Sequence, residues 1–386
     1  TSWSLKNIYV KELYVNGRKY DKSYLTYDDI RNGVKLRFVM SNRPNYRRAV
    51  SEESVPPSLS SPGKTMPYRD VPGLGELMEY AYSYSFVEST PMGVYYANRH
   101  ITTEADKVWL LNPENEPNTL GSNSSLHWEK VRIDKLYPYG APQPADVNQH
   151  GIGDCSALAV FASMAYLYPD FVKSLIVDHG DTTYTVHMYD PQGKPVDVRI
   201  SSKFLVDANN HIGAATGKNS QLTWATVLEK AVMKWNHIYM PESEDIGGIG
   251  SEHVAPLFTG NGSSFAFASG ALTAEQLAQA VKACLAQGKI VVGGFMYNDM
   301  PIGKYKTVTG HAYTMLHSAD SLALFSMRNP WGVACVGADT QGDGVVNVPN
   351  NHVIPSMIDL RIVEPGKAAE YGLIPLRPYV PPMSDK

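Results

Sequence analysis

Four residues of this chain have the side chains and the order of a nucleophilic acyl-transfer site: Gln149, Cys155, His311 and Asn329. A thiolate is stabilised at a helix N-terminus and by an imidazolium, so we expect a lowered pKa for Cys155. His311 can serve as the base, and Asn329 can orient its ring. The backbone N–H of Cys155 and the side-chain amide of Gln149 can stabilise the oxyanion formed at the attacked carbonyl.

The elements that must position these residues can be predicted from local patterns. Apolar residues at helical spacing predict a helix that begins at Cys155, with Asp154 as its N-cap. The apolar stretches His311–His317 and Leu322–Met327 predict an antiparallel pair of strands. In such a pair the start of one strand lies beside the end of the next, which would bring Asn329 to the imidazole.

Other elements follow from alternation, helical spacing and turn residues. Strands are expected at Ile8–Val15, Val34–Met40, Tyr184–Tyr189, Val196–Ile200, Ile290–Tyr297, Val345–Val348 and Met357–Val363, and helices at Leu74–Val87, Trp224–Trp235 and Thr273–Gln287. Helices are expected mainly before Gly250 and strands mainly after it. This order predicts an α+β fold with two unlike lobes.

Composition excludes several classes of protein. The chain has 386 residues, of which 43% are hydrophobic, so it can bury a sizeable core. Its net charge of −4 argues against a nucleic-acid binder, which needs a dense basic face. No apolar run reaches the roughly 20 residues that would span a membrane. The chain starts with Thr1 and shows no signal-peptide pattern, so we expect a processed or excised piece.

The cysteine count is odd, which leaves at least one free thiol. The chain contains Cys155, Cys284 and Cys335, too few for a disulfide framework. Cys284 and Cys335 lack neighbouring residues that would suggest catalysis, and we expect them to be structural.

Three separate segments resemble the active-site motifs of the calpain family. They are Gln149–Cys155, Gly310–Tyr313 and Arg328–Gly332, and the resemblance extends over about residues 68–365. It implies a papain-like cysteine endopeptidase core, with a helical lobe and a β-barrel-like lobe on either side of a cleft. Protein or peptide would be the substrate.

The same resemblance implies a role for each matched residue. Cys155 would be the nucleophile, His311 the general base and acid, Asn329 the orienting residue and Gln149 the oxyanion donor. Trp331 would shield the Asn–His hydrogen bond from water. Backbone groups of Gly153, Gly248 and Gly310 would contact an extended peptide.

The sequence departs from the family pattern at two motif positions. Ser156 follows the nucleophile where calpains usually have Trp, and His150 stands where they usually have Gly. The calcium-binding loops of animal calpains cannot be matched, so no metal or other cofactor is assigned and calcium dependence is not inferred.

A second, shorter resemblance covers about residues 5–60, which are similar to the C-terminal tail of family ninety-two glycoside hydrolases, the bacterial alpha-mannosidases. Tyr14–Tyr20, Asp29-Ile30 and Gly33–Pro44 carry it. It implies a β-rich accessory module or the remnant of a larger fused polypeptide, and a secreted, periplasmic or cell-surface protein of a bacterium. It does not imply glycosidase activity.

These observations predict four parts. Residues 1–62 form a β-rich module and linker, residues 63–250 the helical lobe with the nucleophile, residues 251–365 the β-rich lobe with His and Asn, and residues 366–386 a Pro-rich tail.

Two functions besides endopeptidase remain open. A papain-fold acyl transferase, such as a transglutaminase, also uses Cys and His, but more often with Asp as the third member, so Asn329 favours the protease. A non-catalytic glycan- or partner-binding protein on a protease scaffold is the other alternative. The four chemically competent residues argue against it.

Overall fold

The structure is a computed structural model of the protein. It describes residues 7–43, 45, 48–49, 51, 54, 81–82, 96, 98–268, 273–295, 308–318, 324–333, 344–349 and 357–382. The chain divides into two compact units, Thr1–Pro67 and Tyr68–Lys386.

The first unit contains a small antiparallel sheet. Its elements are β1 (Tyr9–Val15), β2 (Arg18–Lys19), α1 (Tyr27–Ile30) and β3 (Leu36–Ser41), with strand order β2-β1-β3. Asn16 and Gly17 both have positive φ, as a two-residue hairpin turn requires. The strands expected at Ile8–Val15 and Val34–Met40 are therefore confirmed. Among its described residues, Leu13 and Val15 are the buried apolar side chains, so the core of this unit is small.

The second unit mixes helices and strands. Its elements are β4 (Ala81–Tyr82), α2 (Glu104–Leu111), β5 (His127–Lys130), α3 (Cys155–Leu167), α4 (Pro169–Ser174), β6 (Ile176–Asp178), β7 (Tyr184–Tyr189), β8 (Pro195–Ile200), β9 (Lys203–Val206), α5 (Trp224–Tyr239), α6 (Ser251–Thr259), β10 (Ser264–Ala268), α7 (Ala274–Ala286), β11 (Ile290–Phe295), β12 (His311–Leu316), β13 (Leu324–Arg328), β14 (Val345–Pro349) and β15 (Met357–Val363). The predicted α+β class is confirmed.

A seven-stranded antiparallel sheet supports one side of the site. Its order is β14-β13-β12-β11-β15-β10-β4. Helix α3 is buried at every residue from Ala157 to Leu167 and packs on β11 and β12. A helix that is apolar all round must lie inside the core, and here its N-terminus meets the sheet.

Helix α5 is the second central helix, and it carries charged residues into the interior. Thr223 caps it, accepting the N–H of Ala225 at 3.2 Å. Trp224 and Trp235 are fully buried, as expected of core residues, but Glu229, Lys230 and Lys234 are buried as well. Charged groups are almost never fully buried unless they are paired or hydrogen-bonded, so each of these three must have a partner inside.

The Pro-rich tail begins with a 3₁₀ helix, Gly366–Tyr371, and its described residues after that helix have no regular secondary structure and pack on the rest of the second unit. Tyr166 in α3 donates its hydroxyl to the carbonyl of Arg377 at 2.8 Å, and the hydroxyl of Tyr379 accepts the N–H of Ala145 at 3.2 Å. These contacts bring the tail against the helix that carries Cys155.

Two predicted features need correction. The helix expected over Leu74–Val87 is wrong at Ala81–Tyr82, which form strand β4 on β10; the other residues of that range lie outside those described. Sheet pairing overrides local propensity there. Helix α6 was missed, because Gly250 and the internal Pro256 hide its pattern.

In the part of the chain that the structure describes, no helix combines the length and apolar character needed to cross a membrane.

Candidate active site

Cys155 is the first residue of α3, and its thiol lies at the start of strand β12. The side chain is half-buried, and the sulfur accepts a hydrogen bond from the backbone N–H of Ala312. Ala312 follows His311 directly, so the fold brings the nucleophile candidate to the residue next to the base candidate.

His311 and Asn329 are joined by a hydrogen bond. His311 Nε2 lies 2.7 Å from Asn329 Oδ1. The same amide oxygen accepts the backbone N–H of Trp331 at 3.0 Å, so Asn329 is held as an acceptor and Nε2 must be the protonated nitrogen. Nδ1 is thereby left as the nitrogen that can accept a proton.

Trp331 covers this hydrogen bond on one side. Its ring centroid lies 4.8 Å from that of His311, with a 49° angle between the planes. Asn329 is fully buried and His311 is 6% exposed, whereas the indole is 45% exposed. The indole therefore separates the Asn–His pair from solvent.

Gln149 lies in the loop before α3 and is tied to the Asn329 segment. Its backbone N–H donates to the carbonyl of Pro330 at 2.8 Å. Its side-chain Nε2 donates to the carbonyl of Ile152, also at 2.8 Å. A primary amide has two N–H groups, so one N–H of Gln149 remains after the bond to Ile152.

Arg328 fixes this loop, and sequence reasoning missed it. The side chain is 1% exposed and donates to the carbonyl of Val147 at 2.7 Å and to Asn148 Oδ1 at 2.8 Å. The backbones of Asn148 and Thr216 also exchange two hydrogen bonds, of 2.6 and 2.9 Å. The available signal was an arginine at the end of a mainly apolar strand.

The three glycines expected to contact substrate have exposed backbones. Gly248 donates its N–H to the carbonyl of Gly153 at 2.9 Å, so these two lie together and that N–H is already used. Gly310 directly precedes His311. Gly248 and Gly310 have φ of +70° and +63°, and a Cβ built on either would meet no atom within 4 Å.

Burial acts on both titrating groups of the site. It raises the pKa of the Cys155 thiol above its ordinary value. It lowers the pKa of His311, against the opposing effect of the bond to Asn329. The expectation of a lowered Cys155 pKa is therefore wrong for this structure, in which burial favours the neutral thiol and the neutral imidazole.

An open cleft of about 520 Å³ lies beside Trp331. Its lining residues are Asn148, His150, Thr216, Gly217, Lys218, Asn219, Ser220, Trp331, Gly332 and Val333. His150, at the usual Gly position, lies 2.7 Å through Nε2 from the hydroxyl of Thr216. Lys218 is the charged side chain among the described lining residues.

Of the other two cysteines, the structure describes Cys284, which does not join the site. Cys284 is fully buried in α7, and burial raises its pKa; Cys335 lies outside the described residues. Within the described ranges, no group of three His, Cys, Asp or Glu side chains could hold a metal ion.

The model of the family described as "Calpain family cysteine protease" matches residues 120–339, more than half of the chain. The chain belongs to the calpain family. The matched range includes Gln149, Cys155, His311 and Asn329, so the calpain-family domain contains the whole candidate site.

A short part of the chain is similar to a protein outside this family, the family GH92 alpha-mannosidase BT3965 from Bacteroides thetaiotaomicron. Identity is 80% over 17% of this chain and 9% of that chain, with a TM-score of 0.16. For the structure of its complex with mannoimidazole, identity is 70% over 20% of this chain and 10% of that chain, with a TM-score of 0.17. The chain thus spans about a tenth of that enzyme. No curated protein matches the chain.

Proposed function

We propose that the chain is a cysteine endopeptidase with a papain-like core whose two lobes meet at Cys155 and His311. The sulfur of Cys155 attacks the peptide carbonyl carbon while its proton passes to Nδ1 of His311. His311 then gives that proton to the leaving amine, and a thioester remains on Cys155. Water hydrolyses the thioester, with His311 again taking and returning the proton.

The arrangement around His311 carries this proposal. The 2.7 Å bond to Asn329 fixes the ring and its tautomer, and the adjacent Ala312 N–H contacts the sulfur of Cys155. Because burial lowers the pKa of His311, the ring is neutral near pH 7 and can accept the thiol proton.

The loop before α3 supplies the oxyanion donors. The first N–H groups of a helix have no partner within the helix, and that of Cys155 is joined by the second amide proton of Gln149. Donors fixed before the reaction stabilise the developing charge without reorganising. Gly153, Gly248 and Gly310 would present backbone groups to an extended peptide on either side of the scissile bond.

A matched pair of variants tests the proposal. Cys155→Ala should abolish cleavage of an unstructured protein or a peptide library and keep its fold by circular dichroism, whereas Cys284→Ser should remain active. The loss should be many powers of ten, because the covalent route is removed. Wild-type activity in Cys155→Ala would overturn the assignment.

An added primary amine distinguishes acyl transfer from hydrolysis. We expect free carboxyl termini as the products even with a large excess of amine. Amide products formed only with the amine would favour the transglutaminase alternative.

A further inference from the structure

Asp154, the residue before the nucleophile candidate, does not act as the N-cap that the sequence predicts. It occupies the N-cap position of α3, but its side chain makes no capping hydrogen bond. It is fully buried. Neither oxygen of its carboxyl meets a hydrogen-bond donor, and the side chain that acts on this carboxyl is Glu229 in α5.

Glu229 is buried to the same degree and is held in place from its other side. It is 2% exposed, and its two oxygens lie 3.1 and 2.9 Å from the backbone N–H of Ala215. Two carboxylates in contact inside a dry core would repel each other strongly, so one proton must lie between Asp154 and Glu229.

No cation neutralises this pair within the described structure. Lys230, the next residue in α5, bonds to Glu116 and to Ser201 instead. The two carboxyls act on each other, and the charge of Asp154 also raises the pKa of Cys155. Of the ionisable groups on the adjoining loops, His150 bonds to Thr216 and Asp245 bonds to Ser122.

The pair connects three segments of the candidate site. Asp154 belongs to the start of α3, and Glu229 holds Ala215. The backbone beside Ala215 bonds to the loop of Gln149, because the N–H of Gly151 donates to the carbonyl of Gly213 at 2.9 Å. A proton shared by the two carboxyls would therefore tie the nucleophile and the oxyanion loop to α5.

We propose that Asp154 and Glu229 share one proton and together act as positioning residues for Cys155 and Gln149, and that losing this proton at alkaline pH loosens the site. The expected effect of this shared proton on activity rests on the proposed peptidase function. Its expected effect on protein stability does not.

The sign of the stability effect follows from the two protonation states. Both carboxyls ionise near pH 4 in the unfolded chain, at about their reference values, whereas burial raises the pKa of each in the folded protein. The folded state therefore holds a proton that the unfolded state releases. The contribution of this pair alone should raise the unfolding equilibrium constant by about tenfold per pH unit above pH 5, until the folded pair loses its proton.

Glu229→Gln is the test, because its amide can donate to Asp154 and still accept the N–H of Ala215 without titrating. We measure the free energy of unfolding in urea between pH 5 and 9. In this variant, its pH dependence should correspond to one released proton fewer than in the wild type. The alkaline decline of the cleavage rate should also move to higher pH. Asp154→Asn should do the same, and it decides the matter if Glu229→Gln does not fold.

Glu252→Gln is the matched control. Glu252 is also buried, but its partner is the guanidinium of Arg361 at 2.7 Å, so this variant removes no shared proton and should keep the wild-type pH dependence. An unchanged pH dependence of unfolding in Glu229→Gln and Asp154→Asn would overturn the proposal. If neither the wild type nor any variant cleaves a substrate but the stability effect is present, only the proposed peptidase function is overturned.

Discussion

The hydroxyl of Thr314 donates to the backbone carbonyl of Ala159 at 2.8 Å. Thr314 lies in the strand that begins with His311, and Ala159 lies one helical turn after Cys155. This buried bond thus joins the element that carries the base to the element that carries the nucleophile.

Thr314→Val removes this bond while keeping the shape of the side chain. We expect a loss of about 1 kcal/mol in the free energy of unfolding, the usual worth of one buried hydrogen bond. The kcat should fall by roughly tenfold with little change in KM, because a small displacement of the reacting groups lowers the rate steeply. Urea unfolding and peptide-cleavage kinetics check the two values.

Thr185→Val is the control for this prediction. Thr185 lies in strand β7, and its hydroxyl is 2.8 Å from His179 Nε2. This variant should lose similar stability with kcat unchanged. Equal kcat in both variants would show that the bond of Thr314 is only structural.

The titration of Cys155 can be followed by alkylation with iodoacetamide. Since burial raises its pKa, the thiolate should form only at high pH. We expect the alkylation rate to rise through an apparent pKa above about 8.5, the value of an unperturbed thiol. Cys284→Ser combined with Cys335→Ser makes Cys155 the single target.

The same experiment in His311→Asn tests the partner. The alkylation profile should stay nearly unchanged, because a neutral imidazole does not stabilise a thiolate. A reactive plateau below pH 7 that His311→Asn abolishes would show a thiolate–imidazolium pair, as the sequence alone suggests.

The cleft beside Trp331 should favour an acidic substrate residue, because Lys218 is the charged side chain among its described lining residues. Lys218→Glu should lower the preference for peptides with Glu over those with Lys by about threefold or more, as expected of an exposed ion pair. Comparing kcat/KM for peptides that carry Glu or Lys on each side of the scissile bond measures this preference. Lys194→Glu, an exposed control outside the cleft, should leave it unaltered.

Removal of calcium should leave the activity largely in place. The calcium-binding loops of animal calpains cannot be matched residue by residue in this sequence. We expect cleavage in a chelator to stay within about twofold of that in calcium, whereas the metal bound at a preformed site would change the rate much more. Complete loss in the chelator, reversed only by calcium, would contradict this expectation.

The elements that carry the candidate catalytic residues could be predicted from the sequence, because each of these residues lies in a short local pattern. A helix start follows from the spacing after Cys155, and the strand that begins at His311 follows from an apolar run. Pairing of that strand with the one before Asn329 requires only a short connection, so the 2.7 Å bond between His311 and Asn329 was within reach of sequence reasoning.

Contacts between distant segments could not be predicted in the same way. The sequence gives Asp154 the features of an N-cap, yet the tertiary structure turns its carboxyl towards Glu229, and it places Arg328 on the loop of Asn148. Periodicity reports which face of an element is apolar, but it does not report which polar groups meet inside the core.

The protonation of the site was also decided by the tertiary structure. From the sequence, the helix start and a histidine indicate a lowered pKa for Cys155, because both stabilise negative charge. In the folded chain, packing removes water from Cys155 and His311, and desolvation disfavours the charged form of each. The sequence determines which groups can react, whereas burial, which depends on the whole fold, determines the charge they carry.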